Sequence, residues 1–189
     1  MPDLHVLNLF RESGALLEGH FRLSSGLHSA GYLQSALVLQ HPAHAETLGR
    51  ALAGKLDGLR ATAVLSPALG GLIIGHEVAR ALGVRAIFAE RQDGVLTLRR
   101  GFSLSPADRV VIIEDVVTTG GSTRETIAVA EASGATVVGA GAILDRSGGA
   151  SKLNVPFSSL VTLTLATHQP DACPMCQAGM AITKPGSRS

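Results

Sequence analysis

Apolar residues recur along this chain with two periods, and the alternation between them predicts its elements. From Leu4 to Ser13 the spacing is helical, with Leu4, Leu7 and Phe10 on one face and Gly14 as a stop. Ala15 to Leu23 then alternates apolar with polar and is followed by Ser24 to Gln34, which predicts a hairpin turning at Ser25-Gly26. His41 to Leu59 returns to helical spacing, with Leu48, Leu52 and Leu56 every fourth residue. Ala61 to Leu65 is a short apolar run, expected as a buried strand. The turn Ser66 to Gly71 follows it, and then a helix from Leu72 to Leu82 that directs Ile73, Ile74, Val78 and Ala81 inward. Val84 to Ala89 is the next strand, and Asp93-Gly94 signals a hairpin within Gln92 to Arg100. Val110 to Ile113, four β-branched residues, predicts a strand buried on both faces. Arg124 to Ser133 reads as helix, with Ile127, Val129 and Ala130 apolar. Thr136 to Leu144 reads as a buried strand, and Pro156 to Thr167 as a final edge strand. Strand, glycine turn and helix recur in order, the repeat of an α/β fold. The expectation is an open, mostly parallel twisted sheet with helices on both faces. Ligands of such sheets sit at the carboxyl ends of the strands.

Composition narrows the class without changing this picture. A chain of 189 residues, 46% hydrophobic, fits one domain spanning 1–189. A net charge of +1, one Tyr and no Trp leave neither a basic footprint nor stacking platforms, so no nucleic-acid partner is expected. No run of eighteen apolar residues is present, and the N-terminus has no basic stretch followed by an apolar core. No membrane partner and a cytoplasmic location are expected. Cys173 and Cys176, the only cysteines, are too few for a disulfide scaffold.

The chemistry concentrates in Val110 to Thr123, VVIIEDVVTTGGST. The strand ends at two carboxylates, Glu114 and Asp115, and Val116-Val117 leads into Thr118-Thr119-Gly120-Gly121-Ser122-Thr123 ahead of the helix. A glycine-rich turn at a helix N-terminus presents backbone N–H groups and the positive end of the helix dipole to an anion. Gly120 and Gly121 are expected to permit positive φ, while Thr118, Thr119, Ser122 and Thr123 add hydroxyl donors. Two acids beside a phosphate cradle imply an intervening group that needs acceptors, and ribose hydroxyls fit. The reading is a sugar-phosphate site. The absence of GK[ST] excludes a P-loop, and the glycine spacing excludes a dinucleotide fingerprint.

IEDVVTTGGST closely resembles the phosphoribosyl-diphosphate (PRPP) motif of type I phosphoribosyltransferases. The resemblance implies that Glu114, Asp115, Val116, Val117, Thr118, Thr119, Gly120, Gly121 and Ser122 bind PRPP. The turn holding Leu69 and Gly70 would give backbone groups to its pyrophosphate. FRLSSGLHSAGYLQ, by itself only a hairpin, resembles the N-terminal segment of orotate phosphoribosyltransferases. Leu23, Ser25, Gly26, Ser29 and Tyr32 match the family pattern there, and Ser24 stands where many members carry a lysine. ILDR, ending at Arg146, resembles the segment that gives the family an arginine for the orotate carboxylate. Orotate contacts are therefore expected from Thr118, Arg146, Ser25, Gly26 and Tyr32. Residues 1–40 and the C-terminal tail would form a small hood over the base. The family's mobile loop falls at the Asp93-Gly94 hairpin. No lysine lies between Lys55 and Lys152, so Arg91, Arg99 and Arg100 are the cations expected at the pyrophosphate, acting in catalysis with Glu114 and Asp115.

The tail, ACPMC followed by AITKPGSR, resembles one bacterial branch of the same family. Its CxxC is only half of a zinc site, with His168 the nearest further candidate, and the expectation is a tight turn with reduced thiols and no residue assigned to a metal. What the resemblance implies for the whole chain is transfer of ribose 5-phosphate from PRPP to orotate with Mg²⁺ as cofactor, in a homodimer with a shared active site. A purine phosphoribosyltransferase would share the central motif without needing the hood or Arg146. A non-catalytic PRPP-sensing regulator would add a basic face or a nucleic-acid-binding module.

Overall fold

The computed structural model describes residues 3–23 and 25–184. Helix α1 (Asp3–Glu12) is followed by strands β1 (Leu16–Arg22) and β2 (His28–Leu33), then by α2 (Ser35–Leu39) and α3 (Pro42–Leu56). Next come β3 (Ala63–Pro67), α4 (Gly71–Leu82), β4 (Arg85–Gln92) and β5 (Val95–Leu98). The central strand β6 (Arg109–Val117) leads into α5 (Gly121–Ala132), and β7 (Thr136–Asp145) and β8 (Phe157–Thr162) complete the main sheet. A two-residue strand β9 (Thr167–His168) and the short helix α6 (Pro174–Gln177) end the described chain.

The main sheet has the order β5-β4-β3-β6-β7-β8, with every neighbouring pair parallel except β4–β5. Alternation along β6 builds both faces. Val111 and Ile113 join the core under α3 and α4, whereas Val110 and Ile112 join the core containing Ile127 and Ala130 of α5. All four side chains are fully buried. Burial on both faces explains why this strand reads as a continuous apolar run rather than an alternating one. The expected α/β architecture, helices on both faces included, is the one observed.

Several details depart from the sequence expectations. In α1 the inward face is Val6, Leu9 and Phe10, with Leu4 64% exposed, because the helix packs with a face turned from the one first read. In α4 Ile74, Val78 and Ala79 face the core, and Ile73 and Ala81 are exposed. The last strand is shorter than Pro156–Thr167. β8 stops at Thr162, and the chain leaves the main sheet to supply β9 to a second sheet of order β1-β2-β9. Thr183 also pairs with this small sheet: its N–H donates to the His20 carbonyl and its own carbonyl accepts from Arg22 N–H, both at 2.8 Å. The N-terminal hairpin and the C-terminal tail are thus one structural unit. Ser24 and residues 185–189 lie outside the described residues, so the position of the family lysine and the end of the tail motif receive no structural account.

Candidate active site

β6 delivers Glu114 and Asp115 at its carboxyl end because its preceding residues are pinned between two cores. Beyond them, Val117 is buried again while Thr118, Thr119 and Ser122 emerge into solvent. Gly120 is the residue before α5 and has φ +75°, a left-handed conformation that glycine adopts without strain. Gly121 needs no such freedom and begins the helix. With no side chain at the cap position, the first-turn N–H groups of α5 stay available to a ligand. A long contact of 3.4 Å from Gly121 N–H to Thr119 Oγ1 draws on one of them. Arg124, not singled out from the sequence, donates to the Thr119 carbonyl at 2.9 Å and braces the turn from the helix side. Thr123, expected among the donors, is only 2% exposed and belongs to the core.

The turn after β3 stands against these acids. A Cβ on Gly70 would lie 2.7 Å from Asp115 Oδ1, and one on Gly71 would lie 2.8 Å from the Ile113 carbonyl. Leu69, next to them, is 81% exposed. The two turns expected to face one ligand are therefore in contact. Their acids are poorly solvated. Glu114 is 8% exposed, and burial, with the Asp115 charge as a second cause, pushes its carboxyl from the ordinary 4.5 up to about 8. Burial also raises Asp115, against the opposing effect of the Val116 N–H that donates to Oδ1 at 2.8 Å. Two adjacent acids that ionise at a cost form a site ready for positive charge or for hydroxyl donors.

β7 brings Arg146 to the same end of the sheet. Val117 pairs with Asp145, and the Arg146 N–H donates to the Val117 carbonyl at 2.8 Å, one residue before Thr118. The guanidinium is partly buried, and its Nε has no hydrogen-bond partner among the described residues. Burial lowers its pKa, with Tyr32 of β2 near enough to oppose the shift. An arginine fork held away from water with no carboxylate beside it is a site for an anion. Tyr32 itself stacks obliquely on Phe21, with ring centroids 5.9 Å apart. Ser25 and Gly26 form the hairpin turn, Gly26 with φ +84°, and Ser25 Oγ makes only a 3.5 Å contact with Leu27 N–H.

The β4–β5 ribbon turns at Asp93 and Gly94, both with positive φ, as the Asp-Gly pair predicts. Its arginines are engaged. Arg91 reaches Glu125 of α5 at 2.7 Å, Arg100 reaches Glu90 at 3.0 Å, and Arg99 lies 3.8 Å from the same carboxylate. The Arg91–Glu125 pair is exposed and cheap to exchange, whereas the Glu90 carboxylate that receives Arg99 and Arg100 is largely buried. The Cys173–Cys176 turn is also not isolated: His20 and His28 converge on it, whereas His168, the expected candidate, is not in the group. Two histidines eight residues apart across a hairpin carry no signal until β1 and β2 are paired.

Comparison with known proteins agrees with this geometry. Residues 35–174 match the phosphoribosyl transferase domain family. The orotate phosphoribosyltransferase of Pelotomaculum thermopropionicum is 52% identical over 97% of this chain and 96% of its own length. That of Caldanaerobacter subterraneus is 49% identical over 100% and 99%. Among solved structures, orotate phosphoribosyltransferase from Aeropyrum pernix superposes with a TM-score of 0.71 at 28% identity, covering 84% of this chain and 93% of that one. With its PRPP-type turn, paired acids and unpartnered arginine at one sheet end, the chain belongs to the phosphoribosyltransferase family and stands with its orotate-specific members.

Proposed function

We infer that this chain transfers the ribose 5-phosphate group of PRPP to orotate, giving orotidine 5′-monophosphate and pyrophosphate, a step of de novo pyrimidine biosynthesis. The observation that carries the base assignment is Arg146, a partly buried guanidinium whose Nε has no hydrogen-bond partner among the described residues, beside the start of the phosphate turn. Orotate is the nucleobase precursor with a carboxylate to meet it. Full-length relatives at about half identity bear the same name.

In the reaction the bond from the anomeric carbon to pyrophosphate oxygen breaks, that oxygen keeping the electron pair, and a ring nitrogen of orotate bonds to that carbon as its proton passes to solvent or to the departing pyrophosphate. The α5 N-terminus with Thr118, Thr119 and Ser122 holds the 5′-phosphate, and Glu114 and Asp115 accept from the ribose hydroxyls. Glu114 holds a proton at neutral pH before substrate binds; the cation developing on the sugar favours its ionised form, and the interaction of both carboxylates with that charge is the main catalytic contribution asked of the protein. Arg91, Arg99 and Arg100 exchange Glu125 and Glu90 for pyrophosphate oxygens when the ribbon closes. The donors at this strand end are all oxygens, which suits Mg²⁺. Asp115 and Glu114 would hold the ion through water and the ribose hydroxyls, and when bound it neutralises charge on the departing pyrophosphate. Ser25, Gly26 and Tyr32 cover the base.

A cytoplasmic homodimer completes the reading. No helix among the described residues is long and apolar enough to cross a membrane. The test is loss of orotate absorbance on adding PRPP and Mg²⁺, with adenine, guanine and xanthine in parallel. Turnover of a purine but not of orotate would overturn the assignment, and binding of PRPP without turnover of any base would make the chain a sensor.

A further inference from the structure

Away from the cleft, His20 of β1, His28 of β2, and Cys173 and Cys176 of the tail bring their ligand atoms within 4.8 Å of one another. His20, His28 and Cys173 are buried, and Cys176 is exposed. His20 Nε2 lies 3.0 Å from His28 Nδ1, 3.6 Å from Cys173 Sγ and 3.7 Å from Cys176 Sγ; Cys176 Sγ lies 3.3 Å from His28 Nδ1. A tetrahedral zinc with Zn–N of about 2.0–2.1 Å and Zn–S of about 2.3 Å sets its ligands about 3.3 Å apart for two nitrogens and about 3.6 Å for nitrogen and sulfur. These four separations match that tetrahedron within a few tenths of an ångström, and the remaining two, from Cys173 Sγ to His28 and to Cys176, are within 4.8 Å.

Hydrogen bonding alone does not account for the cluster. The other ring nitrogen of His20, Nδ1, is 2.9 Å from the Met180 carbonyl, which can only accept. Nδ1 therefore carries the proton, and Nε2 is left with a single lone pair facing three partners. One lone pair serves one donor, whereas one cation at the centre serves every ligand atom. A histidine whose far nitrogen donates to a backbone carbonyl is also the usual outer support of a metal-bound imidazole. Neither cysteine is in a disulfide, so both can lose their protons and ligate zinc as thiolates.

We propose that His20 Nε2, His28 Nδ1, Cys173 Sγ and Cys176 Sγ bind one zinc ion in a closed, structural site. Four protein ligands leave no open position for substrate, so the ion does no chemistry. It cross-links the N-terminal hairpin to the C-terminal tail, the two segments already joined through Thr183, and thereby fixes the hairpin that carries Ser25, Gly26 and Tyr32. A Cys₂His₂ donor set in this geometry selects zinc over the hard cation expected at the cleft.

The test is elemental analysis of the untagged full chain, purified under reducing conditions without chelator from zinc-supplemented cells. About one zinc per chain is expected, falling below about 0.1 in Cys173→Ser/Cys176→Ser. Chelator-treated wild type reloaded with Co²⁺ should show the intense visible bands of tetrahedral cobalt and a thiolate charge-transfer band, which decides the matter even where the double variant is insoluble. Mercurial modification of the thiols should release the zinc stoichiometrically. Wild-type protein with neither zinc nor these cobalt bands would overturn the proposal, as would a soluble double variant that keeps its zinc.

Discussion

At the scale of single residues, the site is organised by how burial treats charge. Arg146 illustrates it on the positive side: its guanidinium is partly buried and its Nε has no hydrogen-bond partner among the described residues, so a carboxylate placed there meets less competition from water. Arg146→Ala should raise the KM for orotate by the equivalent of roughly 2–5 kcal/mol while leaving PRPP affinity near normal, because the phosphate turn is a separate element. Calorimetric titration of both ligands checks this, and equal losses for both would remove Arg146 from the base site. Glu114 illustrates the negative side. Its folded pKa, about 8, lies above the ordinary 4.5, so the folded state holds a proton that the unfolded chain releases across that interval. Stability contributed by the protonated form is complete below about 4.5 and is lost as pH rises towards 8, with a magnitude on the order of a few kcal/mol. Glu114→Gln should remove this slope. The difference between the melting curves of wild type and variant from pH 5 to 8 isolates it, and parallel curves would count against the burial argument.

At the scale of elements, the sheet end works because two turns touch. Gly70 has φ −57° and ψ −43°, a conformation open to any residue, so Gly70→Ala brings no backbone strain and only a steric collision. The new methyl, 2.7 Å from Asp115 Oδ1, forces that carboxylate to turn away. We expect kcat/KM for PRPP to fall by roughly ten- to a hundredfold, as for other small misplacements of a catalytic group, with little change in melting temperature. Unchanged kinetics would show that Asp115 is not held for catalysis by this contact. Elements were also where the sequence was most legible. Val110–Ile113, the Asp-Gly ribbon turn and the Leu48/Leu52/Leu56 stripe all announced themselves, because each is a local pattern with a local cause. Faces were less legible. Leu4, Ile73 and Ala81 fit a helical stripe as well as the residues actually buried, and only the packing partner decides between them. Long-range convergence was not legible at all. Neither the departure of the chain from β8 into β9 nor the meeting of His20 and His28 with Cys173 and Cys176 leaves a periodic trace, since each depends on which strands pair.

At the scale of the molecule, there are two sheets and one proposed substrate complex between them. The main sheet supplies Thr118 and Arg146, and the small sheet supplies Tyr32. The chain crosses between the sheets twice, after Leu33 and between Thr162 and Thr167. In the proposed complex PRPP alone would engage only main-sheet elements, whereas a nucleotide carrying the base would touch both. Hydrogen exchange should separate these states. With PRPP and Mg²⁺, protection is expected in 117–123 and in the 68–71 turn, with 28–33 unchanged. With orotidine 5′-monophosphate, protection should extend to 28–33 and 145–149 together, because Tyr32 and Arg146 close on the same ring. Arg146→Ala should abolish the nucleotide-dependent protection of 28–33 while sparing that of 117–123, since the phosphate remains bound. Protection of the hairpin by PRPP alone, or none with the nucleotide, would mean that the small sheet does not close over the base, and Tyr32 would leave the binding site with it.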